Sequence, residues 1–117
     1  MSTPSSLNIP SGDATVVVRA FDSVDPTKSR IPAAFFLSPV LEGHEEIFFP
    51  AYAFLIENPR TGRRVMFDLG VREPSSYPPQ VRQMFEHPGV EMVVHDVVDQ
   101  LVKGDVDLKS IDAVIWR

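Results

Sequence analysis

Three histidines and sixteen carboxylates are the side chains of this 117-residue sequence that could do acid–base or metal chemistry. His44 stands beside Glu45 and Glu46, but adjacent residues in a loop seldom converge on one ion. The His-Glu-x-x-His spacing of a helical zinc site is also absent. We interpret this stretch as a solvated loop, so it yields no catalytic residue and no metal ligand.

The other two histidines have structural interpretations. His87 precedes Pro88-Gly89, so it is expected at a helix C-terminus, where the partial negative charge favours an imidazolium cap. His95 lies beside Asp96, which is a suitable helix N-cap. A catalytic role for His95 is the alternative.

One carboxylate is placed differently from the rest. The motif Phe67-Asp68-Leu69-Gly70 puts a carboxylate at the end of an apolar run, with a glycine two residues later that permits a sharp turn. A carboxylate there can accept backbone N–H bonds or orient neighbouring ligands. Asp68 and Gly70 are therefore the candidate site residues, and a plain turn is the alternative, because turns use Asp and Gly constantly.

A hairpin is the element that must position Asp68. Residues 51–57 and 63–68 are apolar runs on either side of the turn sequence NPRTG, in which Pro presets a turn and Gly can adopt left-handed backbone angles. Both alternating sets of side chains in residues 51–57 are apolar, which indicates a sheet that is covered on both faces. Because the two predicted helices supply only one cover, either a long loop or something outside this chain is expected to cover the other face.

The remaining patterns predict a mixed architecture. The other predicted elements are strands at residues 14–21, 33–37 and 90–94, a loop at residues 38–50, and two helices that start near Pro78-Pro79 and Asp96. Val98, Leu101 and Val102 form the expected apolar stripe of the second helix. The run at residues 113–116 is apolar and rich in β-branched and aromatic side chains, which predicts a buried strand. We therefore predict the α/β (α+β) class, with helices on the sheet.

Composition excludes several classes of function. The net charge of −5 argues against nucleic acid or an anionic membrane as a partner, because both favour a basic surface. The sequence has no cysteine, which excludes disulfides, thiolate metal sites and a cysteine nucleophile. It also has no signal-peptide pattern and no apolar run near the roughly 20 residues of a membrane span. We expect a soluble cytoplasmic protein.

The succession AYAFLIENPRTGRRVMFDLGV, a helix-containing middle and then DLKSIDAVIW resembles the metallo-β-lactamase superfamily, in particular its lactonase-like branch related to N-acyl homoserine lactonases. In that family a hairpin ends in Asp-x-Gly, as at Asp68-Leu69-Gly70, and a later strand like residues 111–116 runs into a Ser/Thr-His-x-His-x-Asp-His loop. The resemblance implies the N-terminal part of a four-layer αββα sandwich. Residues 14–117 would form this partial domain, after a flexible segment at residues 1–13.

The resemblance also implies which functional residues are present. The ligands of the family lie beyond Trp116, so no metal ligand is carried over to this chain, and Arg117 stands where the family has Ser or Thr. Asp68, with Gly70, is the matching position, and in the family this Asp supports the metal centre. A dinuclear zinc-type centre and a small-molecule substrate are implied only for a full-length relative, and no cofactor is expected for this chain.

We therefore expect a chain truncated just before its active-site motif, from a metal-dependent hydrolase, and inactive by itself. It would self-associate or pair with the missing C-terminal half. The alternative is a small non-catalytic binding or interaction protein that uses the same half-fold.

Overall fold

The structure is a computed structural model that describes Ser6, Asn8 and residues 10–116. Much of the predicted flexible segment, namely residues 1–5, 7 and 9, lies outside the described residues, as does Arg117. The described chain combines two β-sheets with two short α-helices, so the predicted α+β class is confirmed. Neither helix has the length and apolar content needed to cross a bilayer.

The described elements are β1 (Val17–Asp22), β2 (Arg30–Pro32), β3 (Glu46–Phe48), β4 (Tyr52–Glu57), β5 (Arg64–Phe67), α1 (Pro79–Phe85), α2 (Val97–Lys103) and β6 (Ala113–Ile115), with 3₁₀ turns at Ala33–Phe35, Pro74–Ser76 and Leu108–Ser110. The larger sheet has the order β1-β4-β5-β6, in which β6 runs parallel to β5 and the other pairs are antiparallel. Strands β2 and β3 form a separate antiparallel pair.

The predicted hairpin is confirmed as β4 and β5. The side chain of Asn58 accepts hydrogen bonds from the backbone N–H groups of Arg60 (3.0 Å) and Thr61 (3.3 Å). Gly62 takes a left-handed φ of 72° and donates its N–H to the Asn58 carbonyl (2.8 Å). The turn chemistry of the NPRTG segment therefore sets the register of the two strands.

Helix α2 covers one face of the larger sheet. Val97 and Leu101 are buried against Ala53, Leu55 and Met66 of the two hairpin strands. The predicted stripe is wrong in part, because Val98 and Val102 are exposed. The helix starts at Val97, so Val97 and Leu101, four residues apart, share the face that meets the sheet.

Three other predictions need correction. Residues 33–37 form a 3₁₀ turn instead of a strand, because the Ala33 carbonyl accepts the N–H groups of the two residues that would have continued an extended chain. The predicted loop at residues 38–50 contains β3, which pairs with β2. Residues 90–94 make two isolated bridges instead of a continuous strand.

The second face of the larger sheet is apolar and poorly covered in the described chain. Strand register puts the following side chains on it, and we call them the open face: Val18, Ala20, Tyr52, Phe54, Ile56, Val65, Phe67, Ala113 and Ile115. The Phe54 ring lies 6.2 Å from that of Tyr52 and 6.4 Å from that of Phe67, yet Val18 and Ile115 remain 54% and 53% exposed.

One prediction about burial is wrong for the described residues, because the predicted buried terminal strand forms as β6 but stays exposed. The open face lacks cover among the described residues, which leaves the prediction of a cover from outside this chain as a prediction. Strand β6 is the edge of the sheet, because β5 is its one strand neighbour in the described part of the chain. An apolar face beside an unpaired strand edge favours association.

The open face predicts self-association of the chain. Val18→Lys should weaken self-association at least tenfold, because a buried unpaired charge costs more than the ~1.4 kcal/mol of a tenfold change. The matched control is Val98→Lys, which alters an equally exposed valine on α2 (51%) outside the open face. Sedimentation velocity over a concentration series measures both. A monomeric parent at all concentrations, or equal effects of the two lysines, would contradict this prediction.

Candidate functional site

Strands β1, β5 and β6 run in the same direction, so their C-terminal ends meet at one end of the larger sheet. We call this end the C-terminal rim and define it as residues 22–23, 68–71 and 116. Open sheets with parallel strands commonly bind ligands outside the carboxyl ends of those strands. Both predicted site residues, Asp68 and Gly70, lie on the rim.

Asp68 is fixed to the end of β6. Its backbone N–H donates to the Ile115 carbonyl (2.8 Å), which extends the parallel pairing by one bond beyond Phe67. Its backbone is left-handed, with a φ of 65°, and its own Oδ1 accepts the N–H of Leu69 (2.8 Å). Such a conformation costs a non-glycine residue about 1–3 kcal/mol and is concentrated at functional sites, although Asp tolerates it better than most residues.

Ser23 holds Gly70 and Val71, the residues of the turn that follows Asp68. Its side chain is fully buried, and its Oγ donates to the Ala51 carbonyl (2.7 Å) and accepts the N–H of Val71 (2.7 Å). Gly70 packs directly on it, since a Cβ at Gly70 would stand 2.4 Å from Ser23 Oγ. Gly70 is also left-handed, with a φ of 65°. Ser23 was missed by sequence reasoning because its partners lie 28 and 48 positions away.

Asp22 is the second carboxylate of the rim, and the backbone already uses it. Its Oδ1 accepts the N–H groups of Val24 and Ala51, both at 3.1 Å. These bonds close the corner where β1 ends and β4 begins. Asp22 therefore has a structural role, although its Oδ2 atom, like that of Asp68, receives no hydrogen bond from the described residues.

The three histidines are not brought together at Asp68. His44 lies in the exposed loop before β3, where Glu45 accepts the N–H of Gly43 (2.9 Å) and Glu46 pairs with Arg30 (3.0 Å). The exposed position of His44 agrees with the interpretation of its segment as a loop.

His87 and His95 have local structural contacts. Helix α1 ends at Phe85, and His87 Nδ1 accepts the N–H of Gly89 (3.0 Å), so its ring orders the segment after the helix instead of capping it. His95 is exposed, and its backbone N–H donates to the Ser23 carbonyl (2.8 Å).

Two carboxyl groups with lowered pKa values, those of Asp25 and Glu45, lie in turns. Hydrogen bonds from the hydroxyl (2.6 Å) and the backbone N–H (2.9 Å) of Thr27 lower the pKa of the Asp25 carboxyl. The backbone N–H of Gly43 likewise lowers the pKa of the Glu45 carboxyl. Both groups accept bonds inside a tight turn, which accounts for the shift without a catalytic role.

The carboxylate that the rim presents beside β6 is that of Asp68. Among the residues that the structure describes, no three His, Cys, Asp or Glu side chains are grouped so that they could hold a metal ion. A single carboxylate can accept a hydrogen bond from a side chain placed beside β6 and so orient it. It does not provide the several convergent ligands of a catalytic metal site.

The sequence is similar to part of a larger curated protein. It is 34% identical over 119 aligned residues to gamma-lactamase FDB1 of Fusarium pseudograminearum (strain CS3096), and the match covers 97% of this chain but 29% of that protein. The chain thus spans less than a third of this relative. Neither a family model nor a solved structure matches the chain.

The packing of Gly70 on Ser23 predicts a large loss of stability for Gly70→Ala. A left-handed alanine costs about 1–3 kcal/mol, and the clash with Ser23 Oγ should add about 1–3 kcal/mol of overpacking strain. Gly62→Ala is the matched control, because Gly62 has a similar φ of 72° with no atom within 4 Å of its Cβ position. Urea unfolding measures both free energies. Equal losses would mean that Gly70 is not held against Ser23.

Proposed function

We propose that the chain is the N-terminal part of a metal-dependent hydrolase of the metallo-β-lactamase superfamily, in its lactonase-like branch. Two observations support this proposal: the similarity to part of a larger gamma-lactamase and the Asp-x-Gly turn at the end of a hairpin. The observation that carries it is the hydrogen bond from Asp68 N–H to the Ile115 carbonyl, since the chain that leaves β6 then starts beside the Asp68 carboxylate.

The proposed reaction is hydrolytic opening of a lactam or lactone ring. Water adds to the ring carbonyl, the bond from that carbon to the ring nitrogen or oxygen breaks, and the leaving atom takes up a proton. A bound zinc-type centre would polarise the carbonyl and supply hydroxide near neutral pH. The described residues do not fit such a centre by themselves, because the two carboxylates on the rim, Asp22 and Asp68, are too few ligands.

The proposed role of this chain is to position groups supplied by the rest of the protein. Asp68 would accept a hydrogen bond from a ligand residue and so fix its orientation, as outer carboxylates do for metal-binding histidines. Ser23 and Gly70 would keep that carboxylate at the end of β6.

The open face is the proposed contact with the remainder of such a protein. More than two thirds of the relative lies outside the region of similarity, which is enough chain for a further apolar layer. Without that layer, we expect copies of this chain to use the open face for self-association. In the alternative function, a small binding protein, the exposure of this same face is the observation that favours it, and its partner would cover the face.

The chain alone is expected to bind no zinc tightly and to open no lactam, lactone or thioester above background. The physical reason is the lack of converging ligands among the described residues. Metal analysis after dialysis and hydrolysis assays with added zinc test this expectation. Stoichiometric zinc together with hydrolysis that a chelator abolishes would show that the site is complete in this chain.

The role of Asp68 is testable in a chimera in which this chain replaces the matching segment of the Fusarium gamma-lactamase. Asp68→Asn retains size and turn-forming capacity but removes the charge, so metal affinity or hydrolysis should fall 10- to 100-fold, about 1.4–2.7 kcal/mol, with little change in melting temperature.

Asp105→Asn is the matched control for that chimera, because Asp105 is also left-handed (φ 59°) but follows α2. Its substitution should leave metal content and rate unchanged. If Asp68→Asn behaves like Asp105→Asn, Asp68 is a turn residue only.

A further inference from the structure

An apolar cavity of about 360 Å³ lies between α1 and the β2–β3 pair. Its lining includes Phe35, Phe49, Tyr77, Met84, Phe85 and Met92. The covered core of the sheet is a different cluster, formed under α2, so this cavity is not part of that core. Its volume lies within the range of about 300–1,000 Å³ typical of small-molecule pockets.

One wall of the cavity is fixed by stacking. The ring of Tyr77 stacks on that of Phe85, with centroids 5.4 Å apart and planes inclined by 24°. The guanidinium carbon of Arg72 lies 4.8 Å from the Tyr77 ring centroid. The backbone N–H of Arg72 donates to the Tyr77 hydroxyl (3.0 Å). These contacts fix the Tyr77 side chain and give its hydroxyl a hydrogen-bond partner, so its ring can serve as an apolar surface of the cavity.

The opposite wall is tied to β2. Arg30 exchanges two backbone hydrogen bonds with Glu91 (2.7 and 3.0 Å). Its guanidinium also pairs with the carboxylates of Glu91 (2.7 Å) and Glu46 (3.0 Å). These bonds hold two lining residues, Ile31 and Met92, which are the sequence neighbours of Arg30 and Glu91. The cavity is thus formed without a ligand.

The cavity is connected to the C-terminal rim by a very short segment. Val71 lines the cavity, and its N–H is bound by Ser23 Oγ (2.7 Å) beside Gly70. The three residue steps from Asp68 to Val71 span at most about 11 Å. A molecule whose reacting ring lies at Asp68 can therefore extend a substituent towards the cavity.

We propose that this cavity binds the uncharged apolar group, a ring or short hydrocarbon chain, of the lactam or lactone that is opened at the rim. The identity of that molecule rests on the proposed function, whereas the binding of an apolar group does not. The apolar lining disfavours a charged occupant, which would lose its hydration without a partner. Met84 and Met92 can adapt to ring and chain shapes. A cavity of this size fits one ring system, whereas a protein partner needs about 800 Å² of surface on each side.

Methyl NMR of the chain labelled at its methionines tests the proposal with indole, cyclohexanol and the polar ring imidazole. Indole and cyclohexanol should shift the methyl signals of Met84 and Met92 in a saturable manner. The signal of Met66, which lines a separate apolar pocket under α2, reports any binding outside the cavity and should shift less than those of Met84 and Met92, and imidazole should have no effect.

Matched variants locate the binding. Val81→Asp puts a charge at the cavity, where Val81 is 39% exposed, and should weaken indole binding at least tenfold. Val102→Asp makes the same change on α2, where Val102 is 57% exposed, and should leave binding unchanged. An unshifted Met66 signal reports that each variant is folded.

Several results would overturn the proposal. They are the absence of saturable shifts at Met84 and Met92, a Met66 shift of equal size, equal binding by the two aspartate variants, and shifts that follow protein concentration without any probe. The last result would assign the cavity to a second copy of the chain. Because no assay here depends on turnover, a failure of the proposed hydrolysis leaves this test intact, and hydrolysis without probe binding would overturn the cavity alone.

Discussion

The hydrogen bond from the Asp68 N–H to the Ile115 carbonyl is the interaction on which the arrangement of the C-terminal rim depends. Among the described residues it is the last bond of the parallel pair, and the left-handed angles of Asp68 and Gly70 turn the chain away after it. At the other end of the pair, Arg64 donates its N–H to the Asp112 carboxylate (2.9 Å) and accepts the N–H of Asp112 on its carbonyl (2.8 Å). Strand β6 is therefore held at both ends, although its side chains are largely exposed.

The two faces of the larger sheet differ in burial. Leu55 and Met66 pack under Leu101, whereas Tyr52 and Ile115 of the open face remain half exposed. Apolar burial stabilises the covered face by about 25 cal/mol per Å², and the same term would favour any layer that covers the open face. Burial of the covered face thus stabilises the folded chain, whereas the open face is suited to association.

Local patterns in the sequence predict the elements whose causes are local. The NPRTG turn and the two short helices were predicted, because turn residues, caps and apolar periodicity act over a few positions. The assignment of Asp68 and Gly70 as site residues stays a prediction. The 3₁₀ turn at Ala33 and the role of Ser23 were missed, because they depend on bonds to Glu45, Ala51 and Val71. The exposure of β6 was missed for a related reason, since a strand sequence shows that a side chain is apolar but not whether anything packs on it.

The most direct test of the account is NMR detection of the scalar coupling across the hydrogen bond between the Asp68 amide nitrogen and the Ile115 carbonyl carbon. The central claim is that β6 pairs with β5 so that the chain leaving β6 starts beside the Asp68 carboxylate. The account predicts a measurable coupling and an Asp68 amide that exchanges with solvent as slowly as the amides paired between β4 and β5. An absent coupling together with fast exchange would mean that the rim is not assembled in this way, and Asp68 would lose its place beside β6.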